Sequence, residues 1–125
     1  FVHDRETDKT TRVNVRSNGD QAEGGLSSDP SISANGRFVA FTSEATNLVV
    51  GVDDNGYSDV FIHDRETKKT TRVSVRYNGD QAEGGHSYNP TLSGSGRFVA
   101  FQSVVPLVSN DNNDLNDIFV RGPLR

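Results

Sequence analysis

Apolar and polar residues alternate along this chain in short runs, none long enough to wrap a helix of ordinary length. Thr10 to Arg16 (TTRVNVR) carries an apolar residue at every second place in its latter half, as a half-buried strand does, and Phe1 to Arg5 reads as a shorter strand before it. The polar stretch Glu6 to Lys9 between them forms a hairpin turn. Ser17 to Asp29 is a loop, marked by Gly19, Gly24 and Gly25 among Asn, Asp and Ser. A strand over Pro30 to Ser33 follows, then a tight Ala34-Asn35-Gly36 turn, then the near-continuous apolar strand Arg37 to Ser43. Glu44 to Asp59 is long and polar apart from Leu48-Val49-Val50, and Val60 to Asp64 opens the cycle again.

The cycle is a repeat in sequence as well as in pattern. Residues 61 to 103 restate residues 1 to 43, with HDRET, KTTRV, NGDQAEGG and GRFVAF intact sixty positions later. Self-similarity at a fixed period marks stacked supersecondary units, here of four strands each. A third, shorter unit follows: two strands in Asn89 to Ser103, a loop over Val104 to Asp117, and a strand at Ile118 to Val120 before Gly122-Pro123. The two long loops differ by two residues, so that Phe119 aligns with Phe61 at a spacing of 58. Insertions of that kind belong in loops while strands hold register.

The residues Asp29 to Ser43 (DPSISANGRFVAFTS), and again Asn89 to Ser103, resemble the Asn-Pro-x-Trp-Ser-Pro-Asp-Gly-Arg-x-Ile-Ala-Phe-x-Ser signature of TolB-type, Trp-Asp-like β-propeller repeats. Ser58 to Asp64 (SDVFIHD) is similar to the next strand of that family, and Asn116 to Val120 follows it less completely. Ile32 and Leu92 stand where the family has an aromatic residue, and Ala-Asn-Gly or Gly-Ser-Gly replaces its Pro-Asp-Gly turn. The resemblance implies an all-β chain of propeller blades, each of four antiparallel strands A to D. Residues 1–16 would be strands C and D of a first blade, 28–76 a complete blade, and 88–121 strands A, B and C of a last one. In such an arrangement Phe38 to Phe41 and Phe98 to Phe101 form strand B, covered by neighbours on both faces. About two blades do not close a ring, so the chain is expected to be a fragment of a longer propeller or the protomer of a ring of copies.

By the same resemblance the chain is an interaction scaffold that binds a protein, peptide or glycan, or else the accessory or gating propeller of a larger hydrolase. An extracytoplasmic setting, periplasmic or secreted, follows from the family alone. In a propeller the B-to-C and D-to-A connections share one rim, and here those are the long ones, so binding is expected there. Asp20, Glu23, Tyr57, Asp80, Glu83, His86 and Tyr88 are its candidate contact residues.

Composition narrows the chemistry. Of 125 residues 32% are hydrophobic, twelve are Gly, and the mean hydropathy is −0.62, as for one small β-rich unit. With no Cys, Met or Trp there is no disulfide framework, thiol nucleophile or thiolate metal site. A net charge of −4 argues against nucleic acid as partner. No apolar run suits a membrane span and no stretch of these residues reads as a signal peptide; the start at Phe1, inside a repeat element, reads as an excised or processed piece whose targeting segment, if any, lies elsewhere.

Metal chemistry is confined to two loops. Asp53, Asn55 and Asp59, and equally Asp111, Asn113 and Asp117, repeat Asp-x-Asn-x-x-x-Asp, a spacing of oxygen donors that suits Ca²⁺. The same residues are ordinary turn formers whose side chains accept backbone N–H bonds, and the glutamate of a helix-loop-helix calcium site is missing. The NGDQAEGG loops lack the Lys and helix of a phosphate cradle. His3 and His63 sit in HDRET at the end of strand C, where a lone His is structural or solvent-facing. Every candidate acid or hydroxyl for catalysis belongs to a repeated motif, so the chain is not expected to be an enzyme.

Overall fold

A computed structural model describes residues 1–50 and 56–124. Nine strands and no helix occur among them: β1 (Val2–Asp4), β2 (Lys9–Thr11), β3 (Ser27–Ile32), β4 (Phe38–Ser43), β5 (Asp59–Asp64), β6 (Lys69–Arg72), β7 (Ser87–Leu92), β8 (Val99–Ser103) and β9 (Asp117–Arg121). They form three antiparallel sheets in chain order, β1-β2, β3-β4-β5-β6 and β7-β8-β9. No helix of the described residues is long and apolar enough to cross a membrane.

The strand pattern read from the sequence is present, with shifted ends that have local causes. β3 starts at Ser27, inside the stretch expected to be a loop, because Asp29 at φ 51° makes a bulge that lets pairing with β4 continue on both sides of it. Asn89 at φ 53° repeats the device in β7. β6 stops at Arg72, short of the expected Arg76, because the Ser74 hydroxyl accepts the N–H of Val60 at 2.9 Å and takes over from the backbone ladder. Past it the chain closes a turn in which Arg76 N–H reaches Asp80 O (2.8 Å), and Val75 bridges Gln81.

β4 and β5 are apolar on both faces, so each face needs a cover. Register pairs Ala40 with Ile62 and Phe41 with Phe61. One face, carrying Phe38, Ala40, Val60 and Ile62, packs with Leu92, Val99, Phe101 and Val105 of the third sheet and its loop. The opposite face, carrying Phe41 and Phe61 with ring centroids 5.9 Å apart, is closed by Ala45 and Leu48 from the β4–β5 loop and by Ala22 from the β2–β3 loop. Gly96 is required where the two sheets meet: a Cβ there would lie 2.4 Å from the Phe38 ring.

Phe98 is the exception to the expected core. It is 42% exposed where its counterpart Phe38 is 4% exposed, because among the described residues no sheet lies beyond the third as the third lies beyond the second. Cutting Phe101 back to Ala should cost about 3 to 5 kcal/mol, whereas Phe98→Ala should cost less, about 1 to 2 kcal/mol, since a large part of Phe98 stays in water in the folded chain. Urea unfolding of the two variants measures the difference.

One ion pair pins the β3–β4 turn to the end of β5. Arg37 donates Nε to Asp64 Oδ1 (2.9 Å) and Nη2 to Oδ2 (2.7 Å), stacks over Phe38, and reaches Glu66 at 2.9 Å. Asp64 also accepts the backbone N–H of Glu66 (3.0 Å). The Arg37 bonds first, and the backbone bonds after them, hold its carboxyl well below the usual carboxylate range against the opposing effect of burial. Asp4, which caps the equivalent β1–β2 turn, is lowered chiefly by the backbone N–H bonds it accepts from Glu6 and then Thr7. As pH falls the unfolded Asp64 takes up its proton first, so stability present above about pH 4 is lost below it. Urea midpoints at pH 6 and pH 3 should therefore fall further for the wild type than for Asp64→Asn.

Candidate functional site

The long loops emerge where β4 and β8 end and where β5, β7 and β9 begin. Serines anchor them there. Ser43 and Ser103 each cap the first loop residues by accepting the N–H of Ala45 (3.0 Å) and Val105 (3.1 Å), and each pairs across to a β3 or β7 serine, Ser27 or Ser87, at 2.9 Å.

Three of the candidate rim residues come together at this end. His86, just before β7, accepts the backbone N–H of Ser58 on Nδ1 at 3.0 Å, which leaves the ring proton on Nε2 when the imidazole is neutral. Its ring meets Tyr57 edge to face, with centroids 5.1 Å apart at 87°. Tyr88, two residues on, accepts a 2.5 Å hydrogen bond from the Asn116 amide across the second long loop. His86 and Asn116 are exposed, and Tyr57 and Tyr88 half-buried. Tyr57 and His86 thus form an aromatic patch, with Tyr88, bonded to the Asn116 amide, two residues beyond His86 on β7; the patch is able to stack on a flat apolar surface and to hydrogen-bond at its edge. Ser58, beneath it, is buried, and its hydroxyl has the Ser87 carbonyl at 3.2 Å.

The four acidic candidates do not join that patch through their hydrogen bonds. Asp20 accepts the Asn18 amide (2.7 Å) and Asp80 the Asn78 amide (2.7 Å), each inside its own closed turn. Glu23 is exposed and works through its backbone, donating N–H to Asn47 Oδ1 (2.8 Å) and accepting from Thr46 N–H (2.9 Å), which docks the β2–β3 loop on the β4–β5 loop. Glu83 is exposed in the equivalent loop.

Of the two oxygen-rich loops, Asp53 and Asn55 lie outside the described residues. Asp59, the third member, is buried; it accepts the Ser74 hydroxyl at 2.8 Å and lies 3.6 Å from Arg72 Nε. Asp111, Asn113 and Asp117 line one open hollow with Asn110, Asn112 and the start of β9, and Asn113 Oδ1 accepts the N–H of Leu115 at 2.9 Å. No three His, Asp or Glu side chains form a metal-binding group among the described residues.

A feature the sequence reading missed lies between the first sheet and β5–β6. Arg12, Arg16, Arg65, Lys68 and His63 line an open groove there whose described lining has no carboxylate. Arg12 is held by Gln21 (2.6 Å) and Arg65 by the Gly36 carbonyl (2.7 Å), so these cations brace the walls. His63 is buried, with Nδ1 on Thr70 Oγ1 at 2.8 Å; burial first, then Lys68, pushes its pKa down. Asn116 was also missed, although the repeat places it where Ser58 stands, and that alignment is the signal that would have found it.

No family model matches the chain, and no curated protein matches its sequence.

Proposed function

We propose that the chain is a non-catalytic interaction scaffold of β-propeller blades, TolB-like in its repeat, that takes a protein, peptide or glycan on its loop rim at Tyr57, His86, Tyr88 and Asn116. The ring contact of Tyr57 with His86, with Tyr88 bound to Asn116 two residues further along the chain from His86, carries this reading. Flat aromatic faces beside fixed donors suit the apolar face of a sugar ring or a peptide side chain. Support for a non-catalytic role comes from Ser58, whose hydroxyl lies 3.0 Å from His86 Nδ1 but is buried beneath the patch. The blade assignment is supported by the sixty-residue repeat and by sheets whose strands follow chain order. A setting outside the cytoplasm rests on the family resemblance.

Glycan and peptide arrays probed with the labelled chain test it. Signals are expected that Tyr57→Ala and Tyr88→Ala each lower about tenfold or more, as loss of a central aromatic contact does, while Glu23→Ala leaves them unchanged. Signals indifferent to both tyrosines would overturn the rim patch as the binding site.

Calcium belongs to this reading as a fastener of the loop before β9, with Asp111 and Asp117 as carboxylate donors facing one hollow. A calcium-loaded loop should raise the melting temperature over that in chelator, and Asp117→Asn should remove the difference. Identical melts in the two buffers decide for turns held by hydrogen bonds alone.

A further inference from the structure

The second and third sheets meet through an interface whose two halves each recur, unpaired, elsewhere on the same chain. On the receiving side Val60 and Ile62 are 0% and 7% exposed under the third sheet, whereas their register counterparts Ile118 and Val120 are 68% and 67% exposed. On the inserting side Leu92 is 9% exposed, and Ile32, sixty positions earlier, is 50% exposed.

The polar contacts of the interface recur in the same way. Leu92 N–H donates to the Ser31 hydroxyl (3.0 Å) and Asn89 N–H to the Thr42 hydroxyl (3.2 Å). The free receiving face offers Thr91 and Gln102 at those two places, both with an oxygen that can accept. Phe38 lies over Gly96, where a side chain would collide; Phe98, resting on Gly122, is still 42% exposed, and the counterpart Gly36 has only contacts of 3.6 Å or more around the site of a Cβ.

We infer that the exposed face of β8 and β9 receives β3 of a second copy of this chain, Val120 and Phe98 of one copy packing on Ile32 and Gly36 of the next. The contact is head-to-tail, since the two surfaces differ, and each copy uses both. Burial of large apolar side chains left in water by the single chain drives it. Strand β1 yields in the process. Val2 holds the repeat position of Val120, so β1 of one copy and β9 of the other contend for one place; β1 pairs with β2 over three residues and β9 with β8 over five. With β1 displaced, β2 pairs with β9 as β6 pairs with β5.

Sedimentation velocity with two variants tests the inference. Ile32→Lys spoils the inserting surface and Val120→Lys the receiving one, both at exposed positions, with circular dichroism checking that each still folds. The wild type should sediment above 13.6 kDa with a mass that grows with concentration, and each variant alone as a 13.6 kDa monomer. An equimolar mixture of the two variants should form a dimer and stop there, because one good surface remains on each. A wild type that stays at 13.6 kDa throughout, single variants that still associate, or a mixture that remains monomeric would each overturn the head-to-tail contact.

Discussion

A sheet that is apolar on both faces is stable only between two covers, and β4 with β5 imposes that condition on everything around it. Phe38, Ala40, Val60 and Ile62 point one way and Phe41 and Phe61 the other, because side chains alternate along a strand. One cover is a whole sheet and the other is made of loops. The long, loosely patterned β4–β5 connection is therefore part of the core, through Ala45 and Leu48, as well as part of the rim.

Side chains standing in for backbone give the rim its shape. Ser43 and Ser103 turn the chain out of β4 and β8, Ser74 ends β6, and Asn47 ties two loops together through the backbone of Glu23 and of Gln21. These short polar groups cost little entropy to fix and satisfy backbone donors that the irregular path would leave bare. On that framework His86 is positioned by a backbone N–H, and Tyr57 by the ring of His86.

The strands were legible because period-two patterning and the repeat reinforce each other: Arg37 to Ser43 and Val60 to Asp64 were found within a residue at each end. Ser27 and Ser28 were not, since serines before an Asp-Pro pair look like loop and only the bulge at Asp29 restores pairing. Phe98 was expected in the core because its sequence is that of Phe38; burial depends on what lies beyond the strand, which identical residues do not encode. At the rim, the repeat pointed to His86 and Tyr88 as the places where the two copies differ, but a carboxylate such as Asp80 gives no sign in sequence of whether it faces outward or closes its own turn.

The bulges of β3 and β7 have a further effect on what this chain can form in concentrated solution. Each is followed by a proline, Pro30 or Pro90, on a strand that borders its sheet. Proline has no N–H to offer an incoming strand, and the bulged residue beside it breaks the even spacing that such a strand would need. Lateral growth of the cross-β kind is thus discouraged along those two borders, and a chain so rich in β-structure gains protection from fibrillar aggregation there.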